Sequence, residues 1–479
     1  MQEFLLNIVA TLNSYISNYV LVILLVGVGI FYTVRTRFVQ VRCFGEGMKR
    51  VFGKNQAKGK GLSSFQALTT AVAAQVGTGN IVGASGAILI GGPGAIFWMW
   101  VIAFFGMATI YAEATLAQQT RQRDAEGNIQ GGPVYYIKHA FRGGFGKFLA
   151  GFFAVAVIIA LGFIGSMVQS NSIAESISSI TGAPELGWIV GIVIVLIAGF
   201  IFLGGIKRIA AVTEKMVPIM AILYLIGGLF VICANITFLP DAFGAIFKYA
   251  FVPQAILGGG IGAAIKEAIS QGAKRGLFSN EAGMGSTPHA HAMAEVEKPH
   301  DQGVAAMIGV FIDTFVVLTM TALIVIISLY CGDGALADGH QAGEMMHGLT
   351  IAKTNMVQLA FGDAFAKLFG EAGYVIGNVF VAVCLFFFAF STIISWNFFG
   401  KVNFEYLFGK KSIPVYSVIA LVFIFLGTMM SNDLVWELTD FFNYLMVLPN
   451  AVALFALSGM VVSAVKAAKK AKDPLGLGK

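Results

Sequence analysis

Charge is what this sequence has least of. Only 12% of its 479 residues are charged, while 57% are hydrophobic and the mean hydropathy is +0.81. An ordinary soluble domain carries about 25% charged residues. This chain has too little polar surface to cover a globule of its size, which argues against a soluble enzyme or a disordered protein. Cysteine is also scarce. Cys43, Cys233, Cys331 and Cys384 lie far apart, with neither a disulfide framework nor zinc-ligand spacing. A P-loop, an HExxH pair and an ordered Ser/His/Asp set are missing, so ATP-driven pumping and membrane hydrolysis lack motif support. His289, His291 and His300 cluster loosely without surrounding carboxylates, and no transition-metal site is expected from them. The opening MQEFLLN has no basic region and no small-residue cleavage site after it, so the first apolar run reads as a retained span.

Glycine and long apolar runs are abundant. The 58 glycines suit membrane helices that pack closely through small residues. Spans of about 20 apolar residues fall at 17–34, 64–90, 94–116, 148–178, 187–206, 212–235, 253–274, 303–330, 372–399, 412–430 and 434–463. With the N-terminus outside, the segments assigned to the inside hold 27 of the 31 Lys and Arg, counting Lys215 and Lys274 at inner helix ends. Lys248, Lys353 and Lys367 fall outside and Lys266 within a span. This asymmetry predicts an outer N-terminus and a cytoplasmic C-terminus. The loop 331–371 has helical patterning near 345–368, expected as an outer cap or gate helix, with a disordered loop as the alternative.

Two spans carry interruptions. The first reads Gln75-Val76-Gly77-Thr78-Gly79-Asn80 at mid-membrane, a poor helix. Unwound backbone at that depth is tolerated only where it is buried in protein or lines a cavity. Gly79 and Gly83 also fit a small-xxx-small packing face, which leaves Gln75, Thr78 and Asn80 unexplained. The second interruption follows 253–274, where Ser279 or Asn280 can cap a short helix through HAHAMAE; a plain cytoplasmic loop is the alternative. Helix breaks are expected at Gly77, Gly79, Gly276 and Gly283. The interrupted spans are second and seventh of eleven, so they have opposite topology, the sequence pointer to a secondary transporter.

Ser391 and Thr392 sit in an aromatic, uncharged span, where each can also bond back to its own helix. Facing freed carbonyls near Ala73 and Val76, they would suit a hard monovalent cation, with sodium the simplest choice. Gln169 lies in a polar run, Gln169 to Ser172, that can line the same cavity or join helices. Glu113, Asp313 and Glu175 are intramembrane or edge acids. Asp313 sits one turn into its span and reads as functional or merely interfacial, and Glu113, near the cytoplasmic end, as functional or paired with a loop Arg.

The stretches QVGTGNIVGASGAILIGGPGAIFWMW, GLFSNEAGMGSTPHAHA and AFSTIISWNFFG, with MVQSNSIAES, closely resemble the alanine-or-glycine:cation symporter family. The resemblance covers most of the chain. It implies an all-α integral membrane protein with eleven transmembrane helices in a leucine-transporter-like arrangement. A five-plus-five inverted repeat, 64–235 and 253–463, would follow one peripheral helix at 17–34, with a tail at 464–479, all in one polytopic domain (1–479). It implies sodium-coupled uptake of alanine and glycine through the cytoplasmic membrane, with no organic cofactor and no nucleic-acid partner. Substrate contacts would come from Thr78, Gly79, Asn80, Gln169, Ala273, Gly276, Leu277 and Phe278. The sodium ligands would be carbonyls of Ala73, Val76 and Phe388 and hydroxyls of Ser391 and Thr392. Some members carry a bulky aromatic where this chain has Ala273, which implies a roomier pocket here. Serine or glutamine as substrate, and a proton as coupling ion, are the alternatives, with a channel or a transport-like sensor behind them.

Overall fold

The computed structural model describes residues 2–16, 22–53, 61–252, 261–337, 343–346 and 349–472. The expected spans at 17–34 and 253–274 and the tail at 464–479 therefore lie partly outside the described residues. Among the described residues, eight helices are long and apolar enough to cross a membrane, or nine with one broken pair counted as a span.

The N-terminal part contains α1 (Gln2–Tyr15), α2 (Val22–Arg35) and α3 (Phe44–Phe52). The next helix, α4 (Ser64–Gln75), starts at a capping box. Ser63 Oγ accepts from Gln66 N at 3.0 Å, and Gln66 Oε1 accepts from Ser63 N at 3.1 Å. The helix stops at Gln75 and resumes at Gly79, bent by 47°. The resumed part ends as α5 (Ala84–Gly91). A long helix, α6 (Gly94–Thr120), packs against α2. A short hairpin pairs Gln122–Arg123 with Ile129–Gln130. Asp124 in its turn is held below the usual carboxylate range by the Lys410 ammonium.

Three spans come next: α7 (Gly143–Thr181), α8 (Pro184–Phe202) and α9 (Gly205–Ala234). After α10 (Leu239–Phe251) comes α11 (Ile261–Asn280), a break, and the short α12 (Pro288–Ala292). The chain then crosses as α13 (Pro299–Tyr330). Both α11 and α13 pack along α6, which thus forms a central strut. A helix is present in the region expected near 345–368, α14 (Met356–Phe369), buried through its first two turns, exposed at its C-terminal end and starting eleven residues later than the patterning suggested. The last spans are α15 (Glu371–Phe408), α16 (Lys410–Gly427) and α17 (Asn432–Ala456). The run expected as one span at 434–463 turns at Leu457, where Ser458–Lys472 begins a separate helix.

The partition of side chains is inverted relative to a soluble protein. Leu196, Phe200, Ile219, Ile222 and Ile226 are exposed on span surfaces, while Glu113, Asn80, Gln169 and Asp313 are fully buried. Apolar side chains outside and polar ones within are what a bilayer requires.

Candidate substrate and cation site

The first break arises because the backbone amides after Gln75 leave the helix ladder. Gly77 N donates to Gln75 O at 3.0 Å and to Asn80 Oδ1 at 3.1 Å, rather than to Ala73 O four residues back. Thr78 N donates to Gln169 Oε1 at 3.2 Å instead of to Ala74 O. The carbonyls of Ala73 and Ala74 are thereby freed. Thr392 Oγ1 lies 2.9 Å from Ala73 O, 3.4 Å from Ala74 O and 3.1 Å from Phe388 O. Ser391 Oγ lies 3.3 Å from Ala73 O and 2.8 Å from Phe388 O. Of the five expected cation ligands, Ala73, Phe388, Ser391 and Thr392 converge. Val76 caps α4 with φ −81° and ψ 83°; its carbonyl is not among the acceptors of the two hydroxyls. Gly77 makes this approach possible, because a Cβ there would sit 2.3 Å from Thr392 Oγ1 and 3.2 Å from Gln169 Oε1.

Beside this oxygen cluster, the Gln169 Nε2 and Thr78 Oγ1 atoms are buried without a protein partner. An unsatisfied buried polar atom costs about 1–3 kcal/mol, and two of them lie at this one helix break.

The second break lies at Glu281 to Thr287, not at Gly276. Glu281, Gly283 and Gly285 have φ of 57°, 92° and 78°. Gly276 stays inside α11, and a Cβ on it would face Met99 and Ile102 of α6 at 3.6 to 3.7 Å. The short helix beyond begins at Pro288, so neither Ser279 nor Asn280 caps it. Leu277 O accepts from Glu281 N in the last turn of α11, and Ala273 is buried in the same helix. Phe278 meets the first break: a Cβ on Gly79 would lie 2.9 Å from its ring and 3.1 Å from Ser279 Cα. The Phe278 ring packs on Trp436 (4.7 Å between centroids) and Trp396 (5.8 Å).

Three acids prove more central than the sequence suggested. Asp313 is not interfacial. It is fully buried in a π-helical stretch of α13, accepting from Asn80 Nδ2 at 2.7 Å, Ser279 Oγ at 2.9 Å and Thr314 Oγ1 at 2.8 Å. It therefore ties both broken helices together. Gln75 Nε2 adds a second tie to Asn280 O at 2.7 Å. Glu113 meets no loop Arg. It accepts from Gly283 N (3.1 Å), Gly285 N (3.0 Å) and Asn450 Nδ2 (2.6 Å), and so closes the exposed amides of the second break. Glu281, which sequence reasoning missed, accepts from Trp396 Nε1 at 2.5 Å and from Ser286 Oγ. Its signal was an acid between the glycines of an interrupted segment. Glu175 is half-buried near the end of α7, away from these contacts.

Arg275 was expected in a cytoplasmic loop and is instead inside the protein. It pairs with Asp440 Oδ2 at 2.9 Å and lies 4.8 Å from the Trp436 ring centroid. Lys274 and Arg275 line one cavity with Lys353 and Asp433, alongside Leu6 and Ala10 of α1. Lys274 and Arg275 therefore share the Lys353 side, while Leu62 bridges to Ala294 next to α12. The two histidines of α12 serve separate partners: His289 contacts Ser286 O and Asn403, and His291 contacts Gln302.

Two interrupted helices crossing inside a lipid-facing bundle, with unpaired polar atoms at the crossing, belong to a multi-span membrane transporter and not to an enzyme. A crystal structure of MhsT in complex with L-phenylalanine shares this leucine-transporter-like fold. Its TM-score is 0.57 at 16% identity, over 87% of this chain and 99% of that one. The chain belongs to the Sodium:alanine symporter family, whose model matches residues 2–474. The sodium/alanine symporter AgcS of Methanococcus maripaludis is 41% identical over 464 residues, 96% of each chain. A probable sodium/glutamine symporter, GlnT of Bacillus subtilis, is 37% identical over 482 residues, 99% of this chain and 94% of that one.

Proposed function

We propose that this protein is a sodium-coupled symporter that imports small neutral amino acids, alanine and glycine first, by alternating access. The observation that carries this reading is a shared helix break. Freed carbonyls at Ala73 and Ala74 meet the Ser391 and Thr392 hydroxyls there. Unpaired Gln169 Nε2 and Thr78 Oγ1 lie beside that cluster, with Gln169 and Thr392 both facing Gly77. Neutral oxygens suit a hard monovalent cation. Sodium held by Ala73, Val76, Phe388, Ser391 and Thr392 would lock α4 to α15 and order the pocket beside it. Gln169 Nε2, with amides near Thr78, Gly79 and Asn80, would receive the substrate carboxylate. The substrate ammonium would meet the second broken helix, from Ala273 and Gly276 to Leu277 and Phe278. The inward sodium gradient then drives uptake.

The proposed frame is eleven spans with a peripheral helix at 17–34, inverted repeats at 64–235 and 253–463, an outer N-terminus and a cytoplasmic tail. Family membership supports the sodium and amino-acid assignment. The range of names among relatives, alanine for one and glutamine for another, leaves room for a larger neutral substrate beside Ala273.

A second reading, with a proton in place of sodium, draws on Asp313, which is buried between both broken helices. A relative in Bacillus subtilis is named a putative sodium/proton-dependent alanine carrier. A thermal-shift panel separates the readings. Alanine and glycine should raise the melting temperature of the purified protein only when sodium is present, since a ligand bound only by the folded state stabilises it. An equal shift in choline contradicts sodium coupling, and a shift with glutamine alone contradicts the substrate assignment.

A further inference from the structure

A second cluster lies apart from the substrate site, where α3 meets the start of α13. Cys43, Glu46 and His300 each offer one ligand atom, and these atoms lie within 4.8 Å of one another. Cys43 immediately precedes α3 and Glu46 is in its first turn. His300 is the second residue of α13 and is 4% exposed. Its Nε2 is 3.3 Å from Glu46 Oε2, and its Nδ1 is 2.7 Å from the Tyr111 phenol oxygen. An imidazole anchored through one nitrogen presents the other at a fixed angle, as metal-binding histidines commonly do.

The donor set selects the metal class. A thiol, an imidazole and a carboxylate together favour zinc and disfavour magnesium and calcium, which take oxygen ligands. Tetrahedral zinc places its ligand atoms roughly 3.5 Å apart, so closure by about 1 Å completes the geometry. His300 also lines a cavity of about 370 Å³ beside Gln119, Lys298 and Ser463, which gives a hydrated ion a way in.

We propose that Cys43, Glu46 and His300 form a zinc site, with water as fourth ligand. Binding releases the thiol proton to solvent, while the neutral imidazole takes the tautomer that leaves Nε2 bare for the metal and carries its one proton on Nδ1, which donates to the Tyr111 oxygen. Zinc there would pin α3 to the start of α13, the same helix that carries Asp313, and slow the movements that transport requires.

Cobalt(II) can report the site in reduced, detergent-purified protein. A Cys233→Ser background removes the exposed thiol. The expected result is a thiolate-to-cobalt charge-transfer band with tetrahedral d–d bands, bleached by zinc. Cys43→Ser should abolish the charge-transfer band. His300→Gln should weaken cobalt binding at least tenfold, and Tyr111→Phe about tenfold. Each variant must elute as the parent does. Cys331→Ser should change nothing and controls for the other thiols. Absence of the band in the parent, or its survival in both Cys43→Ser and His300→Gln, would overturn the site. Substrate uptake unaffected by zinc while the cobalt bands are present would overturn the pinning.

Discussion

The proposed cation site gathers where α4 loses the hydrogen bonds that Gly77 N and Thr78 N would have made. Because Gly77 N turns to Gln75 O and Asn80 Oδ1, Ala73 O is available to Thr392. Thr392→Ala should therefore raise the sodium concentration for half-maximal uptake about tenfold, given roughly 1.5–3 kcal/mol for an oxygen bound to a charge. Its effect on substrate affinity at saturating sodium should be small. Gln169→Ala should do the reverse, raising the KM for alanine more than the sodium requirement. Sodium titrations of labelled alanine uptake check both, and unchanged kinetics in both variants would remove the site from this place. Adjacent hydroxyls in an uncharged aromatic helix made Ser391 and Thr392 legible in the sequence. Asp313 stood out as an intramembrane acid, but its place between the two breaks was not legible, because its partners Asn80 and Ser279 are 233 and 34 residues away. Depth along a span says little until the neighbours are known.

At the scale of elements, the crossing of the two broken helices depends on close contact at Gly79. A Cβ there meets Phe278 and the Ser279 backbone. Gly79→Val should abolish uptake and destabilise the protein by about 1–3 kcal/mol, the usual effect of overpacking. Adding Phe278→Ala should recover part of the stability, and a thermal melt reads both. The first break was legible because two glycines, a Thr and an Asn fall at mid-membrane in an uncharged run. The second was only half legible. Gly283 does take a positive φ, but Gly276 remains helical against α6. Composition announces that a helix breaks nearby; packing by a neighbour decides which glycine breaks it. Glu113 makes the same point: the amides it satisfies exist only once the second break has formed.

For the whole molecule, the placement of two basic residues differs from the expectation. Lys274 and Arg275 followed an apolar run and so resembled a cytoplasmic loop, yet they share a cavity with Lys353. In the Arg275–Asp440 pair Asp440 is buried and Arg275 mostly so, lying against Trp436, which packs on Phe278. Removing one partner of a buried pair costs about 3–5 kcal/mol. Arg275→Ala should therefore lower the melting temperature sharply, with Arg275→Ala plus Asp440→Ala less affected than the single variant. The double variant melting below the single one would contradict a paired role. α1 was not foreseen as a helix, because its apolar character is modest and its anchor is tertiary, Asn13 Nδ2 to the Glu437 carbonyl at 2.8 Å.

The claim that sodium and a small neutral amino acid share the first break is tested most directly in proteoliposomes. Labelled alanine should accumulate inside when an inward sodium gradient is imposed, and should fail to accumulate when choline replaces sodium at equal ionic strength. Equal accumulation in choline, or accumulation driven by a proton gradient alone, would contradict the account.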